Sequence, residues 1–353
     1  MLHNLRLLSE TKMEVAMYYS PKDIRIENMP KPKIGADEIL VEMRACGLCG
    51  SDLMEWYLKN RIPIVLGHEP AGVVAKTGEH VKSFEIGDRV FVHHHVACLK
   101  CHFCVHEDYT MCEEFGHTHI QPGGFSEYFR VPAPNLEIDT LKIPDVLSLE
   151  EATLIEPVAC CIKAQRKCNV QTGDTVAIIG AGPSGIIHLM LSRCFGAEQV
   201  IITDLINYRL EAAKDFGADS TVNPQEENLI AKMKEVTDGR GVDLVIVTVP
   251  NVKAFADGIK VCRRGGTVCL FAPVQPKEHA EIGLHRLFFS EIKIVPSYSA
   301  SHVETRMALK MLSSKRIRAR ELITHVFPLS RITDAFKTAI ESKECLKVVV
   351  VNE

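Results

Sequence analysis

The chain has 353 residues, a formal net charge of −4 and 46% hydrophobic residues. Its length allows two domains with separate cores, and its dispersed Lys and Arg residues argue against a nucleic-acid or anionic-membrane partner. No apolar stretch approaches the roughly 20 residues of a membrane-spanning helix, so no membrane partner is predicted. Thirteen cysteines without a secretory signal predict a reducing cytoplasmic location in which thiolates bind metals.

Short β-type runs broken by Gly and Pro extend from Met13 to about residue 164. Residues 38–43 (EILVEM) and 87–92 (GDRVFV) are examples. The pattern predicts a mostly β, barrel-like first domain over residues 1–164. Residues 1–12 carry no motif and are expected to form a short arm without an assigned role.

Three residues of this first domain are candidate ligands of a catalytic metal. Residues 45–52 (ACGLCGSD) and 67–70 (GHEP) supply Cys49, His68 and Glu69, a soft, a borderline and a hard ligand. Glu156 is expected near the same metal, because a carboxylate in an apolar run needs a cation or a donor. The alternative for Glu156 is a helix N-terminal charge beside Pro157.

A second metal motif is a close run of four cysteines with the spacing C-x2-C-x2-C-x7-C. These residues are Cys98, Cys101, Cys104 and Cys112. The spacing is typical of a structural zinc ion closed inside one loop, here a lobe over about residues 95–115. The alternatives are disulfides or an iron–sulfur cluster. Because four thiolates saturate a tetrahedral ion, the flanking histidines are expected to be surface or cleft residues; they are His93, His94, His95, His102 and His106.

Strands alternate with helices over residues 165–297, which predicts a doubly wound parallel sheet of the Rossmann type. A β-branched run at 175–179 leads into G-x-G-x-x-G and an apolar helical pattern. The motif consists of Gly180, Gly182, Pro183 and Gly185. Its backbone is expected to approach a pyrophosphate at the helix N-terminus. The alternative is a tight strand–helix turn without a ligand.

Asp204 follows the next strand, residues 200–203, about twenty residues past the glycine motif. Its carboxylate would accept hydrogen bonds from a ribose and repel a 2′-phosphate, which favours NAD over NADP. Arg209 is expected to stack on the adenine. The alternative is that its positive charge weakens the preference for NAD over NADP. Residues 298–353, with a helix at 303–313 and a strand at 347–351, are predicted to return to the first domain.

Together these motifs resemble the zinc-dependent medium-chain dehydrogenases from about Met13 onward. Cys49-Gly50-Ser51-Asp52 is similar to that family's first zinc motif, with Cys49 rather than Cys46 as the ligand. Glu156-Pro157 resembles the polyol (sorbitol or iditol) dehydrogenase branch, where glutamate replaces a cysteine of classical alcohol dehydrogenases. The resemblance implies a GroES-like catalytic domain, two zinc ions per chain, NAD, and a homodimer or homotetramer. It also implies interconversion of a small secondary alcohol, such as a polyol, and its ketone.

One position departs from the family pattern. Met54 stands where the family often has a histidine that relays protons, and a thioether cannot do so. Either Ser51 passes its proton to water, or His94 or His95 takes part. The sequence from His95 to Cys98 is similar to one in threonine dehydrogenases, where the histidine lies near the substrate. The alternative for the three consecutive histidines is a solvent-facing strand end.

Two further functions stay open at this point. The first is an L-threonine 3-dehydrogenase, and the second is a zinc- or nucleotide-binding protein without catalysis. The remaining cysteines are expected to be mostly small buried apolar groups. Cys160 and Cys161 have the alternative of lining the expected cleft between the domains, where substrate and nicotinamide would meet.

Overall fold

A computed structural model describes residues 12–352 of the chain, so residues 1–11 of the expected arm lie outside the described part. The chain divides into two compact units. The first unit contains the described residues up to Thr153, Val326–Ile340 and residues from Val348 onward, and the second contains Leu154–His325 and Glu341–Lys347. The sequence of the second unit is therefore inserted into that of the first.

The described strands, in chain order, are β1 (Lys12–Ser20), β2 (Asp23–Pro30), β3 (Ile39–Gly47), β4 (Ile64–Val65), β5 (Glu69–Thr77), β6 (Arg89–Val92), β7 (Tyr128–Val131), β8 (Thr140–Lys142), β9 (Thr175–Ile179), β10 (Gln199–Thr203), β11 (Ser220–Val222), β12 (Val242–Val247), β13 (Cys262–Leu270), β14 (Lys293–Pro296), β15 (Ile323–Pro328) and β16 (Lys347–Val351). The described α-helices are α1 (Glu55–Leu58), α2 (His102–Val105), α3 (Ala133–Asp139), α4 (Leu149–Ala152), α5 (Ile155–Cys168), α6 (Pro183–Cys194), α7 (Asn207–Asp215), α8 (Leu229–Glu235), α9 (Val252–Val261), α10 (Leu284–Ser290), α11 (His302–Ser313), α12 (Ala319–Leu322) and α13 (Ile332–Glu341).

The first unit is built on antiparallel sheets. A seven-stranded sheet has the order β15-β16-β3-β5-β6-β8, with β7 also paired to β3, and a smaller sheet has the order β2-β1-β4. Its core contains large side chains that are fully buried, among them Tyr18, Phe125 and Phe336. The ring of Phe336 lies 6.1 Å from each of the other two rings. Aromatic burial of this kind ties α13 to the strands of the first unit.

The second unit contains a six-stranded parallel sheet with the order β11-β10-β9-β12-β13-β14. The chain starts in the middle at β9, winds outward to β11, and then returns to β12 on the other side. This is the doubly wound arrangement that the alternating pattern predicts. All five residues of β9 are buried, as expected for a strand covered on both faces.

The predicted fold class is confirmed, and the segment boundaries differ from the expected ones. The predicted boundary between residues 164 and 165 falls inside α5, and the second unit begins ahead of that helix at Leu154. The segment from residue 298 is divided: α11 belongs to the second unit, whereas β16 pairs with β3 in the first. No helix within residues 12–352 has the length and apolar composition needed to cross a membrane.

Candidate active site

Three predicted metal ligands lie together in the first unit. A ligand atom from each of Cys49, His68 and Glu69 lies within 4.8 Å of the other two; we call this set the Cys49 cluster. The sheet brings them together because Gly47, at the end of β3, pairs with Glu69, at the start of β5. Cys49 lies two residues after the end of β3 and directly precedes a 3-10 helix over Gly50–Leu53.

Gly67 allows His68 to enter this cluster. Its φ is +93°, in the left-handed region that favours glycine. A Cβ atom at this position would lie 2.6 Å from the backbone nitrogen of Phe125 and 2.9 Å from the sulfur of Cys46. Only glycine fits this close approach, so the turn that presents His68 depends on it.

Asp52 supports two of the cluster residues. Its carboxylate accepts a hydrogen bond from the backbone N–H of Cys49 at 3.0 Å and lies 3.3 Å from Nδ1 of His68. Asp52 is buried, with 2% of its surface exposed. A carboxylate behind a ligating histidine orients the ring and increases its basicity. In the sequence, Asp52 is part of the Gly-Ser-Asp motif, but no pattern there indicates this supporting role.

The electrostatics of the Cys49 cluster suit a cation. Burial would lower the pKa of His68, but the negative charges of Asp52 and Cys49 outweigh it and hold the pKa well above its usual value. The imidazole thus keeps a proton where a metal ion would otherwise balance the charge. Cys46 is fully buried, and burial and the charge of Glu69 raise the pKa of its thiol well above the usual value. That pKa disfavours Cys46 as a thiolate ligand, in line with the choice of Cys49.

Ser51 and Met54 are both partly exposed and flank Asp52 in the chain. The backbone N–H of Met54 donates to the carbonyl oxygen of Ser51 at 3.1 Å. Ser51 therefore lies one residue before the carboxylate that supports the Cys49 cluster. Its role in proton transfer stays a prediction.

Glu156 lies in the second unit, in the first turn of α5, where a negative charge also suits the helix dipole. Its side chain is buried and accepts a hydrogen bond from the thiol of Cys160 at 3.2 Å. Cys160 is partly exposed, and Cys161 is buried with its thiol 3.8 Å from the carbonyl oxygen of Ser184. A place for Glu156 at the catalytic metal stays a prediction.

The three consecutive histidines follow β6 in the first unit. His93 and His95 are buried, and His94 is partly exposed, so a solvent-facing strand end does not describe them. His93 is also not a surface residue, because none of its area is exposed. By contrast, His102 and His106 are exposed, as expected.

The hydrogen bond of His95 fixes its tautomer. Its Nδ1 lies 2.8 Å from the carbonyl oxygen of Thr118, which can only accept a hydrogen bond, so Nδ1 carries the proton. Burial lowers the pKa of His95 to about 3. His95 is therefore a neutral imidazole near neutral pH, with Nε2 as its acceptor.

The four-cysteine lobe has the dimensions of a zinc site. The sulfur of Cys104 lies 3.6 Å from that of Cys101 and 4.0 Å from that of Cys98. A tetrahedron with metal–sulfur distances of about 2.3 Å has edges of about 3.8 Å. The sulfur atoms of all four cysteines lie within 4.8 Å of one another. None of the thirteen cysteines, all of which lie within residues 12–352, forms a disulfide.

The thiols of this lobe do not ionise equally. The backbone N–H of Lys100 hydrogen-bonds to Cys98 and lowers the pKa of its thiol to about 7. Burial, followed by the neighbouring thiols of Cys101 and Cys112, raises the pKa of Cys104 to about 12. Four thiolates at this spacing need a cation to balance their charge, so the set fits a metal ion.

The glycine motif of the second unit has the features of a nucleotide cradle. A Cβ atom on Gly182 would meet nothing within 4 Å, so the N-terminus of α6 faces open space. A Cβ on Gly185 would lie 1.8 Å from the carbonyl oxygen of Gly180. The close packing of α6 against the end of β9 therefore requires glycine at position 185. Gly180 itself has a φ of +109°. Open backbone N–H groups at a helix N-terminus suit a pyrophosphate. Pro183 is the first residue of α6, where its missing N–H costs nothing.

Asp204 directly follows β10 and touches this motif. One carboxylate oxygen accepts from the N–H of Ala181 at 2.8 Å, and the other accepts from the N–H of Ile206 at 3.0 Å. Each oxygen has a second lone pair, so the carboxylate keeps acceptor capacity for a ribose. Arg209 is partly exposed, and its buried Nε has no hydrogen-bond partner among the residues that the structure describes. Both side chains belong to the second unit.

Two family models match the chain: the alcohol dehydrogenase GroES-like domain over residues 35–145 and the zinc-binding dehydrogenase domain over residues 183–314. The first covers both cysteine-containing sites, and the second begins at Pro183, within the glycine motif, and covers the strands from β10 to β14. The chain belongs to the zinc-dependent medium-chain alcohol dehydrogenase family. It is therefore an oxidoreductase with a GroES-like domain and a nucleotide-binding domain.

Individual relatives span almost the whole chain. Sorbitol dehydrogenase of Bacillus subtilis is 35% identical over 350 residues, which cover 96% of this chain and 97% of the relative. L-threonine 3-dehydrogenase of Alteromonas mediterranea is 30% identical, with 90% of this chain and 93% of the relative covered. A zinc-binding dehydrogenase of Sinorhizobium meliloti, solved bound to NADP, is 26% identical with a TM-score of 0.87. That comparison covers 97% of this chain and 99% of the solved chain.

Proposed function

We propose that this chain is a zinc- and NAD-dependent polyol dehydrogenase that interconverts a secondary alcohol and its ketone. The observation that carries the proposal is the Cys49 cluster, in which a thiol, an imidazole and a carboxylate lie within 4.8 Å of one another. Three protein ligands are typical of catalytic zinc, which keeps a position open. Sorbitol dehydrogenase is the relative that supports a polyol as the substrate.

Zinc held by Cys49 and His68, with Glu69 as a third ligand, would supply a Lewis acid that lowers the pKa of an alcohol. NAD would accept the hydride. Asp52 holds the backbone of Cys49 and the ring of His68 in place, so the ligands are preorganised. The Ser51 hydroxyl is the first group in our proposed path for the proton that the alcohol releases.

The preference for NAD rests on Asp204. A carboxylate at this place accepts hydrogen bonds from the ribose hydroxyls of NAD and repels the 2′-phosphate of NADP. The NADP-bound relative from Sinorhizobium meliloti shows that this fold also accommodates the other cofactor. Comparing kcat/KM for NAD and NADP with one substrate tests the assignment, and equal values would contradict it.

A substrate screen tests the proposed reaction. NAD reduction would be followed with polyols, cyclitols, sugar acids, L-threonine and simple secondary alcohols at matched concentrations. We expect the highest kcat/KM with a polyol. Activity confined to simple alcohols would remove the polyol assignment and leave the dehydrogenase chemistry.

L-threonine 3-dehydrogenase is a second candidate activity. Its support is the A. mediterranea relative and the buried His95, which stands where threonine dehydrogenases have a histidine near the substrate. Glu156-Pro157 favours the polyol branch instead. Turnover of L-threonine at a higher kcat/KM than any polyol would establish this second candidate.

The proposal also includes two zinc ions per chain, one in the Cys49 cluster and one in the four-cysteine lobe. Metal analysis of the purified chain tests it. Zinc confined to the four-cysteine lobe would favour the third alternative, a protein that binds zinc and nucleotide without catalysis.

A further inference from the structure

Two histidines of the first unit carry buried ring nitrogens that have no hydrogen-bond partner in the described part of the chain. His93 is fully buried, and its Nδ1 lies 2.9 Å from Oδ2 of Asp139, which is also fully buried. Among residues 12–352, its other nitrogen, Nε2, has no hydrogen-bond partner, and neither does the buried Nδ1 of His94. Buried polar atoms without partners are rare in folded proteins and need a physical explanation.

Helix α3 holds both histidines in place through hydrogen bonds. Asn135 donates from Nδ2 to the carbonyl oxygens of His93 and His94, at 3.0 and 3.1 Å. Asp139, one turn later on the same helix, orients the ring of His93. A buried carboxylate on Nδ1 fixes the tautomer in which Nε2 is left as a basic acceptor. This is the usual support of a histidine that binds a metal ion.

The two rings are close enough to share a ligand. Their centroids lie 5.4 Å apart, and a ring nitrogen of His93 lies within 4.8 Å of one of His94. With metal–nitrogen distances of about 2.0–2.1 Å, a small side-chain rotation lets both nitrogens bind one ion. Two imidazoles suit Zn²⁺, Co²⁺, Ni²⁺ or Cu²⁺ better than Mg²⁺ or Ca²⁺.

We propose that His93 and His94 bind a second divalent transition-metal ion next to the Cys49 cluster. The ring of His94 lies 5.0 Å from that of His68, so the two ions would be neighbours. Two protein ligands hold an ion more weakly than three or four, so this position fills after the two cysteine-containing sites. Its open coordination positions are available to water or to a substrate oxygen.

Cobalt titration of the zinc-loaded full chain tests the proposal. The thiolate sites keep their zinc, because zinc binds thiolates more tightly than cobalt does. We expect one further Co²⁺ per chain, with d–d absorption and no thiolate-to-cobalt charge-transfer band. The double variant His93→Asn/His94→Asn should lose this Co²⁺ and retain its zinc, as measured by calorimetry and mass spectrometry.

A matched control uses the exposed histidine pair of the same unit, His102 and His106, whose rings lie 4.4 Å apart. The variant His102→Asn/His106→Asn should still bind the additional Co²⁺. If Co²⁺ binding follows the exposed pair, or if the unmodified protein binds none, the proposal fails. It also fails if His93→Asn/His94→Asn loses a zinc ion, because the pair would then serve the Cys49 cluster.

Should the double variant not fold, His94→Gln alone, at a partly exposed position, gives the same readout. Metal content is independent of the substrate, so an error in the proposed function leaves this test intact.

Discussion

The carboxylate of Asp52 lies 3.3 Å from Nδ1 of His68 and accepts the backbone N–H of Cys49 at 3.0 Å. One buried side chain therefore positions two predicted ligands of the same metal. A variant of Asp52 separates this support from metal ligation itself, because all three ligand side chains remain.

We expect Asp52→Asn to weaken zinc binding at the Cys49 cluster by about 10- to 100-fold. The amide keeps the shape of the carboxylate but loses the charge behind His68. Chelator competition on the folded protein measures the effect. The control is Asp37→Asn, because Asp37 contacts Nδ1 of the exposed His80 at 3.1 Å and should leave zinc binding unchanged. Equal zinc affinity in the two variants would contradict the role of Asp52.

Cys49→Ala and Cys101→Ala should have different consequences. Cys49→Ala should abolish turnover and remove one zinc ion while the protein stays folded. Cys101→Ala should instead destabilise the four-cysteine lobe, because structural zinc contributes directly to folding. Zinc content, thermal unfolding and turnover would be measured for both. Near-normal turnover of Cys49→Ala with one zinc ion fewer would show that the catalytic site has been misplaced.

Asp204 combines two roles that separate variants distinguish. Asp204→Asn keeps an acceptor for the N–H of Ala181 and removes only the charge, so rejection of NADP should relax with a smaller loss of NAD binding. Asp204→Ala removes both the acceptor and the charge, so it should weaken NAD binding strongly. The ratio of kcat/KM for NAD and NADP is the measurement, and an unchanged ratio in Asp204→Asn would exclude charge repulsion as the cause.

Ser51→Ala should lower kcat by roughly 10² to 10⁴-fold, as expected for a positioned proton-transfer group. Met54→His would restore the histidine usual in the family and should be neutral or mildly activating. His95→Asn distinguishes relay from binding: a lower kcat with unchanged KM assigns His95 to the relay, and a higher KM alone assigns it to the substrate. An unchanged kcat in Ser51→Ala would remove Ser51 from the proton path.

The buried His188 should make stability depend on pH. Burial lowers the pKa of His188 to about 3, whereas an unfolded histidine has a pKa near 6.5. Below about pH 6.5 the unfolded chain binds a proton that the folded chain does not, so stability falls by up to about 1.4 kcal/mol per pH unit toward pH 3. Above that pH the contribution is fully present.

Urea unfolding of the second unit at pH 7 and pH 5 would measure how much the free energy of unfolding depends on pH. His188→Gln should reduce the loss of stability between the two pH values, although it also disturbs the hydrogen bond between Gln165 and Nδ1 of His188 at 3.2 Å. Replacing the exposed His80 by Gln should have little effect. The same pH dependence in His188→Gln and the unmodified chain would show that other groups govern it.

Local patterns predicted the elements well and their partners less well. The expected strand at 347–351 is β16 (Lys347–Val351), and the expected helix at 303–313 is α11 (His302–Ser313). Periodicity defines such elements but not what they pack against, so the sequence did not show that these two belong to different units. The same reason hid Asp139 as the partner of His93, since the two residues are 46 positions apart in the chain.

The pairing of β16 with β3 has a consequence for the order of folding. Val349 and Val350 pair with Gly47 and Cys46, and the N–H of Leu48 donates to the carbonyl oxygen of Val348 at 3.0 Å. The segment leading to Cys49 is thus held by a strand that is synthesised after all six strands of the parallel sheet. Contacts of such long sequence separation form slowly, and domains of local connectivity fold first. During synthesis, the strands of the parallel sheet, which end at Pro296, can therefore pair with one another before β16 is available to the first unit.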